Sequence, residues 1–271
     1  MNLVNGKPSS SISIFDRGFL YGDSIFETIL VINKIPHNLK SHINRLKKGC
    51  KVLKIINFDL NTLYKQIDKA LADEKNCILN INITRGTALS RGYNIANVKK
   101  KPNIIITTSK VPKYPKEYTD NGIKTKFSKK NLSENENLSK IKHSNRLEQV
   151  LATSELSKNF PELILCDAQN NIIEGISSNI FFIKDKKFYT PIIDRTGVEG
   201  VMKDFLITLL KKNKYEVIKK NISKMDISNY DAAFFCNSVR LIWNIKSISE
   251  IKYKKNNLIK ELVRIVSNEL S

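Results

Sequence analysis

Ser139-Lys140-Ile141-Lys142-His143-Ser144-Asn145-Arg146-Leu147-Glu148-Gln149-Val150 is the stretch on which the reading turns. Leu147, Val150, Leu151 and Leu156 keep a helical spacing, so a helix is predicted over 144–157, opened by Lys142. Downstream lie Glu174-Gly175-Ile176-Ser177-Ser178-Asn179, then Gly197-Val198-Glu199-Gly200, then Cys236-Asn237-Ser238. One amine, one acid and several small anion-holding turns, in that order, are the parts a pyridoxal phosphate (PLP) site requires. That cofactor takes a Schiff-base lysine, an acid facing the ring nitrogen, and a phosphate cup.

Each demand has a candidate. The lysine must be able to lose its proton, which burial and nearby cations favour. Lys142, flanked by Lys140 and His143 and close to Arg146, fits. Glu174 is the candidate acid, since a carboxylate there keeps the pyridine protonated and able to absorb carbanion charge. For the phosphate, Gly197-Val198-Glu199-Gly200 opens a predicted helix, and helix amides suit a dianion. Ser177, Ser178, Asn237 and Ser238 can complete the cup, with Arg45 adding charge-assisted bonds. Arg91-Gly92-Tyr93, in a loop between two strands, supplies a fork and a phenol for the anions of a substrate.

Composition narrows the class. With 271 residues and 41% hydrophobic content, the chain can build one large or two medium cores. No apolar run is long enough to span a membrane, and no secretory leader is visible at the N-terminus. Cys50, Cys77, Cys166 and Cys236 show no Cys-x-x-Cys spacing, which fits reduced thiols in a cytoplasm and excludes the usual zinc motifs, so no metal is expected. The formal charge is +20, yet of 46 basic residues only eight are Arg and the other 38 are Lys, spread along the whole length. Lys99-Lys100-Lys101 and 252–255 cluster, but without the interleaved aromatics that stack on bases. Solvated surface explains this charge better than nucleic-acid binding. Where Lys serves for most positive charge, a retained Arg points to a need for a planar fork. Arg45, Arg85, Arg91, Arg146 and Arg240 all lie in or beside the motif segments.

The first forty residues read as strands and turns, with a hairpin at Asn5-Gly6 and a strand in 24–35. Helices follow at Leu39 to Leu53 and at 61–74 after an Asp59 cap. Strands are predicted over 77–84 and 103–108, separated by a loop over 85–97. Val111-Pro112-Lys113-Tyr114-Pro115 breaks the pattern. Beyond it come strands at 123–127, 163–166, 180–184, 188–190 and 232–236, a helix from Val198, and a closing helix over 258–270. The domains expected are 1–112, a linker at 113–120, and a cofactor-binding domain at 121–271. Two α+β domains with a cleft between them are the economical arrangement.

A resemblance then becomes specific. Asp16-Arg17-Gly18, Tyr21-Gly22-Asp23-Ser24-Ile25-Phe26-Glu27-Thr28, His42-Ile43-Asn44-Arg45-Leu46 and Asn237-Ser238-Val239-Arg240 resemble the class IV PLP enzymes nearly end to end. That group holds branched-chain and D-amino acid aminotransferases and the aminodeoxychorismate lyases. Thr84-Arg85-Gly86, Ser90-Arg91-Gly92-Tyr93 and 141–151 are most similar to the lyases. Branched-chain transaminases typically carry Tyr five residues after the lysine, where this chain has Leu147. The resemblance implies a two-domain α/β (D-amino acid aminotransferase-like) fold, PLP in the interdomain cleft, and a cytoplasmic homodimer. It implies that Lys142 holds PLP, Glu174 faces the ring nitrogen and Arg45 contacts the phosphate. It further implies lyase chemistry on an anionic chorismate derivative, giving p-aminobenzoate for folate biosynthesis. An aminotransferase on the same scaffold is the alternative.

Overall fold

Asn5 and Gly6 both take positive φ, at 52° and 75°, and fold Asn2–Val4 onto Lys7–Pro8 as a tight hairpin. That hairpin edges a six-stranded antiparallel sheet running Lys7–Pro8, Asn2–Val4, Asn103–Ser109, Cys77–Thr84, Ser24–Ile32, Ile35–Pro36. The computed structural model describes residues 1–98 and 101–270, so Lys99 and Lys100 of the lysine cluster lie outside the described residues. Helix Leu39–Val52 packs on Ser24–Ile32, and helix Leu60–Leu71 packs on Asn103–Ser109. Gly49 permits the first contact, because a Cβ there would come within 2.8 Å of Ile25. Asp59 caps the second helix, its carboxylate accepting from the Thr62 amide at 2.6 Å. Ile25, Ile29, Leu46, Leu63, Ile67, Leu79 and Ile81 are fully buried between these layers.

The chain divides into two compact units, Met1–Pro112 with Ile141–Asn145, and Lys113–Lys140 with Arg146–Ser271. This departs from the sequence expectation of a domain over 121–271. Residues 141–145 do not open a helix; they are extended and pair with the Ser24–Ile32 strand. The helix after them begins only at Leu147 and ends at Thr153. Likewise 113–120 is more than a linker, since Glu117–Asp120 forms a short helix of the second unit.

The second unit is built on a seven-stranded sheet in the order Val217–Lys220, Lys187–Pro191, Asn179–Lys184, Ala232–Asn237, Leu241–Ile248, Ile251–Lys252, with Ile123–Thr125 pairing parallel to Leu241–Ile248. Both faces are covered. Phe181, Ile183, Phe234 and Cys236 pack with helices Val201–Lys212 and Asn257–Leu270, while Ile180, Phe182, Ala233 and Phe235 join a second core with Trp243 and Ile245. Two-sided burial explains why Ile180-Phe181-Phe182-Ile183 is continuously apolar. A separate hairpin pairs Ile164–Cys166 with Ile172–Gly175.

Lys203 is a buried charge inside this apolar unit. It is 1% exposed, its ammonium donates to the Pro191 carbonyl at 3.3 Å, and it pairs with Glu199 at 3.4 Å. Burial lowers its pKa, with Glu199 opposing that shift. A base whose folded pKa is depressed leaves the unfolded chain binding more protons, so stability rises as pH climbs toward the ordinary lysine range. Lys203→Met removes that dependence. Urea unfolding between about pH 8 and 10 should show wild-type stability rising more steeply than that of the variant. Parallel curves would mean that Lys203 stays charged in its buried position.

Candidate active site

The first unit places Lys142 by backbone pairing. The Phe26 amide donates to the Lys142 carbonyl at 2.9 Å, the Ser144 amide donates to the Ser24 carbonyl at 3.1 Å, and Ile25 and His143 form an antiparallel bridge. The Ser24 hydroxyl also bonds the Ser144 hydroxyl at 2.6 Å. With its backbone held, the half-buried Lys142 lays its ammonium over the Phe26 ring, 4.4 Å from the centroid.

Next to Phe26, Glu27 is wholly buried and organises a cluster that the sequence reading did not anticipate. His42 and Arg45 are three residues apart on helix Leu39–Val52 and so share a face. Arg45 gives two bonds to Glu27, Nε to Oε1 at 2.8 Å and Nη2 to Oε2 at 2.5 Å; His42 Nδ1 lies 2.6 Å from Oε2. Burial works to raise the Glu27 pKa, but the charge and hydrogen bonds of Arg45 and His42 outweigh it and hold the carboxyl below its usual range. His42 is pushed down, chiefly by burial, with Arg45 and Lys142 adding to the effect against Glu27. The contact is therefore a neutral imidazole N–H donating to a carboxylate. Arg45, expected at a phosphate, thus has two nitrogens committed to Glu27. The signal available in the sequence was an acid interrupting an apolar strand, with His and Arg at helical spacing downstream.

A second network fixes the loop carrying Arg91 and Tyr93. Buried Asp16 caps helix Arg17–Tyr21 and accepts from Thr84 at 2.7 Å and Asn103 at 2.6 Å. Arg17 donates to Asp23 at 2.9 Å and to the carbonyls of Gly92 and Tyr93 at 2.8 and 3.2 Å. Arg85 also pairs with Asp23 at 2.6 Å. The motif residues Asp16, Arg17, Asp23 and Arg85 therefore shape the loop backbone, and they leave Arg91 exposed and Tyr93 83% exposed.

The second unit brings together Glu174, Ser177, Ser178, Val198 and Asn237. Glu174 is 5% exposed at the end of Ile172–Gly175, and the Val198 amide donates to its Oε2 at 2.9 Å. Gly197 makes this approach possible: at φ +88° a Cβ would strike Ile173 at 2.7 Å. Here the expected helix start is corrected. The helix starts at Val201, not Val198, so the Val198 and Glu199 amides precede it. They serve Glu174 and, at 3.3 Å, the Lys140 carbonyl. The Asn237 side chain donates to the Ser177 carbonyl at 2.9 Å and accepts from the Val239 and Arg240 amides at 3.0 and 2.7 Å. Ser238 is half-buried in the same turn. Among the described residues no group of three or more His, Cys, Asp or Glu could hold a metal ion.

A family profile described as amino-transferase class IV matches residues 24–248. The chain is 28% identical over 269 residues to an aminodeoxychorismate lyase of Vibrio harveyi, covering 99% of this chain and 98% of the relative. It is 27% identical to an aminodeoxychorismate lyase of Bacillus subtilis, covering 93% and 88%. The crystal structure of a 4-amino-4-deoxychorismate lyase from Pseudomonas aeruginosa superposes with a TM-score of 0.95 at 30% identity, covering 100% of this chain and 99% of that one.

The Glu27 cluster makes a stability prediction. Glu27→Gln leaves the Arg45 guanidinium without its buried counter-charge, so the variant should lose about 3–5 kcal/mol in urea unfolding at neutral pH. The depressed His42 pKa means the unfolded chain takes up the proton first, so wild-type stability should fall as pH drops below about 6.5. It should fall again as Glu27 is protonated below its ordinary range. A Glu27→Gln loss under about 1 kcal/mol would place Arg45's charge in solvent instead.

Proposed function

The chain belongs to the class IV amino-transferase family, and from that premise we propose that it is a PLP-dependent lyase converting 4-amino-4-deoxychorismate to p-aminobenzoate and pyruvate. The full-length likeness to the Pseudomonas lyase, at 30% identity and a TM-score of 0.95, carries this reading. Leu147, which is exposed at the start of its helix where branched-chain transaminases typically carry Tyr, favours the lyase over the transaminase.

The residues present fit the cofactor. Glu174 is a buried acid with one oxygen held by an amide, so it can meet a ring nitrogen without itself moving. Ser178 Oγ is buried with no partner among the described residues, which suits a hydroxyl kept for a ligand. Arg45 is aligned from behind by Glu27, and Lys142 is held from its backbone.

In this reading Lys142 would hold PLP, Glu174 would keep its ring nitrogen protonated, and Arg45, Ser177, Ser178, Val198, Glu199, Asn237 and Ser238 are the candidates for its phosphate. When bound, PLP supplies an electron sink for charge developing on the substrate carbon. The Lys142 amine would remove the proton at the amine-bearing ring carbon of the substrate. The bond from the neighbouring carbon to the enolpyruvyl oxygen then breaks, the ring becomes aromatic, and the departing enolpyruvate gains a proton as pyruvate. Aromatisation drives this elimination, so the protein has chiefly to position its base and its acid. Arg91 and Tyr93 meet the substrate's carboxylates.

The reading includes a homodimer. Ile14, Phe15 and Phe19 in one unit and Leu147, Val150 and Leu151 in the other are exposed apolar side chains of the kind that a second copy covers. It also includes a cytoplasmic setting, since all four cysteines are buried free thiols. Among the described residues no helix is long and apolar enough to cross a membrane.

The deciding experiment supplies purified protein with PLP and aminodeoxychorismate, without any keto acid, and follows pyruvate and p-aminobenzoate. Both should appear in equal amounts. Lys142→Ala should lower the rate by at least about 10²–10⁴-fold, while Lys140→Ala stays near wild type. Turnover that demands a keto acid would move the chain to the transaminases.

A further inference from the structure

The turn that follows Asn237 is shaped by a buried ion pair, Arg240 with Glu162. Arg240 and Glu162 have side chains 9% and 2% exposed, and the Arg240 Nη2 donates to Glu162 Oε2. The same nitrogen donates to the Ser177 hydroxyl, which itself lies 3.3 Å from Glu162 Oε2. The guanidinium is stacked on the Trp243 ring, 4.3 Å from its centroid. Two loops far apart in sequence therefore converge on one cation. One is the turn after Glu174, closed by the Gly175 amide on the Ser178 carbonyl at 2.6 Å. The other is the Asn237 turn, whose side-chain amide reaches the Ser177 carbonyl.

The backbone carries a further sign. Asn237 pairs with Leu241 across a three-residue hairpin loop, and Leu241 takes φ +58°, the left-handed position where such loops favour glycine. A leucine persists there only when its surroundings over-determine the turn. The anchored guanidinium of the preceding residue supplies that constraint. An Arg fork suits the task and a Lys does not, because it must meet a carboxylate, a hydroxyl and an aromatic face together. In a chain with 38 lysines and eight arginines, the choice of Arg here is explained by geometry.

We propose that Arg240 and Glu162 are positioning residues that lock the Ser177–Ser178 turn to the Asn237–Ser238 turn, making one rigid face for a phosphate group. The proposal rests on the PLP reading above. The pair joins the two turns that carry Ser177, Ser178, Asn237 and Ser238, the residues assigned to the phosphate. Its loss should therefore weaken recognition of the phosphate and spare recognition of the ring.

The test compares PLP with pyridoxal, which has the same ring and aldehyde without the phosphate. Both are titrated by absorbance into full-length wild type, Arg240→Lys and Glu162→Gln. Arg240→Lys and Glu162→Gln should each weaken PLP binding by about 10–100-fold, the worth of a charge-assisted hydrogen bond. Pyridoxal affinity should stay within about twofold. Glu162→Gln keeps the side chain's shape and serves alone if the Arg240 variant does not fold. Equal weakening of both ligands would make the pair a general fold element and overturn the proposal, as would wild-type PLP affinity in both variants. Wild-type protein that binds neither PLP nor pyridoxal would sink the cofactor reading itself, a distinct outcome.

Discussion

The pairing of 141–145 with the Ser24–Ile32 strand is the constraint on which the candidate chemistry depends. A backbone bond to Lys142 and one to Ser144, which together make the Ile25–His143 bridge, hold this segment by its main chain, so the side chain is placed without relying on its own long, flexible stem. A free lysine side chain carries about 2 kcal/mol of rotamer entropy. Stacking on Phe26 removes part of that freedom before any ligand arrives. The neighbouring strand residue, Glu27, turns into the core and fixes Arg45. One strand thus sets the position of an amine through its backbone and of a guanidinium through a side chain.

Buried charge follows the same pattern in the second unit. Glu174 is held by an amide, Glu162 by an arginine, and Lys203 by a carbonyl and a carboxylate. Each is costly to bury and would be tolerated poorly without its partner. None of these pairs is expected to add much net stability over an apolar core of the same volume. Their value lies in fixing turns that have no regular hydrogen-bond ladder of their own. Gly197 and Leu241, both at positive φ, lie in two of these turns.

Much of this organisation is legible in the sequence. The strands at 180–183 and 232–236 are continuous apolar runs because both sheet faces are covered, the strand at 77–84 alternates Ile with half-buried Asn80 and Asn82, and Asp59 and Asn5-Gly6 announce a cap and a turn directly. Leu241–Ile248, Val217–Lys220 and Ile172–Gly175 escape the reading because they are short or carry Asn and Lys at intervals. The segment 141–145 carries no local sign of its extended form, because that form comes from a partner strand more than a hundred residues earlier. The same holds for Val198 and Glu199, where a Gly-x-x-Gly pattern pointed to a helix start that falls at Val201. Among site residues, Lys142 and Glu174 stand out by motif order. Glu27, His42 and Arg240 lie in the quoted motifs, but their pairings, and Glu162 altogether, become visible only through tertiary contacts.

The central claim is that Lys142, and not one of its many neighbours, is the amine that holds PLP. Borohydride reduction of the PLP-loaded protein, followed by proteolysis and mass mapping, reads this directly. A single phosphopyridoxyl-labelled peptide is expected, with the label on Lys142. A label on Lys140 or Lys203, or scattered over surface lysines with none on Lys142, would contradict it.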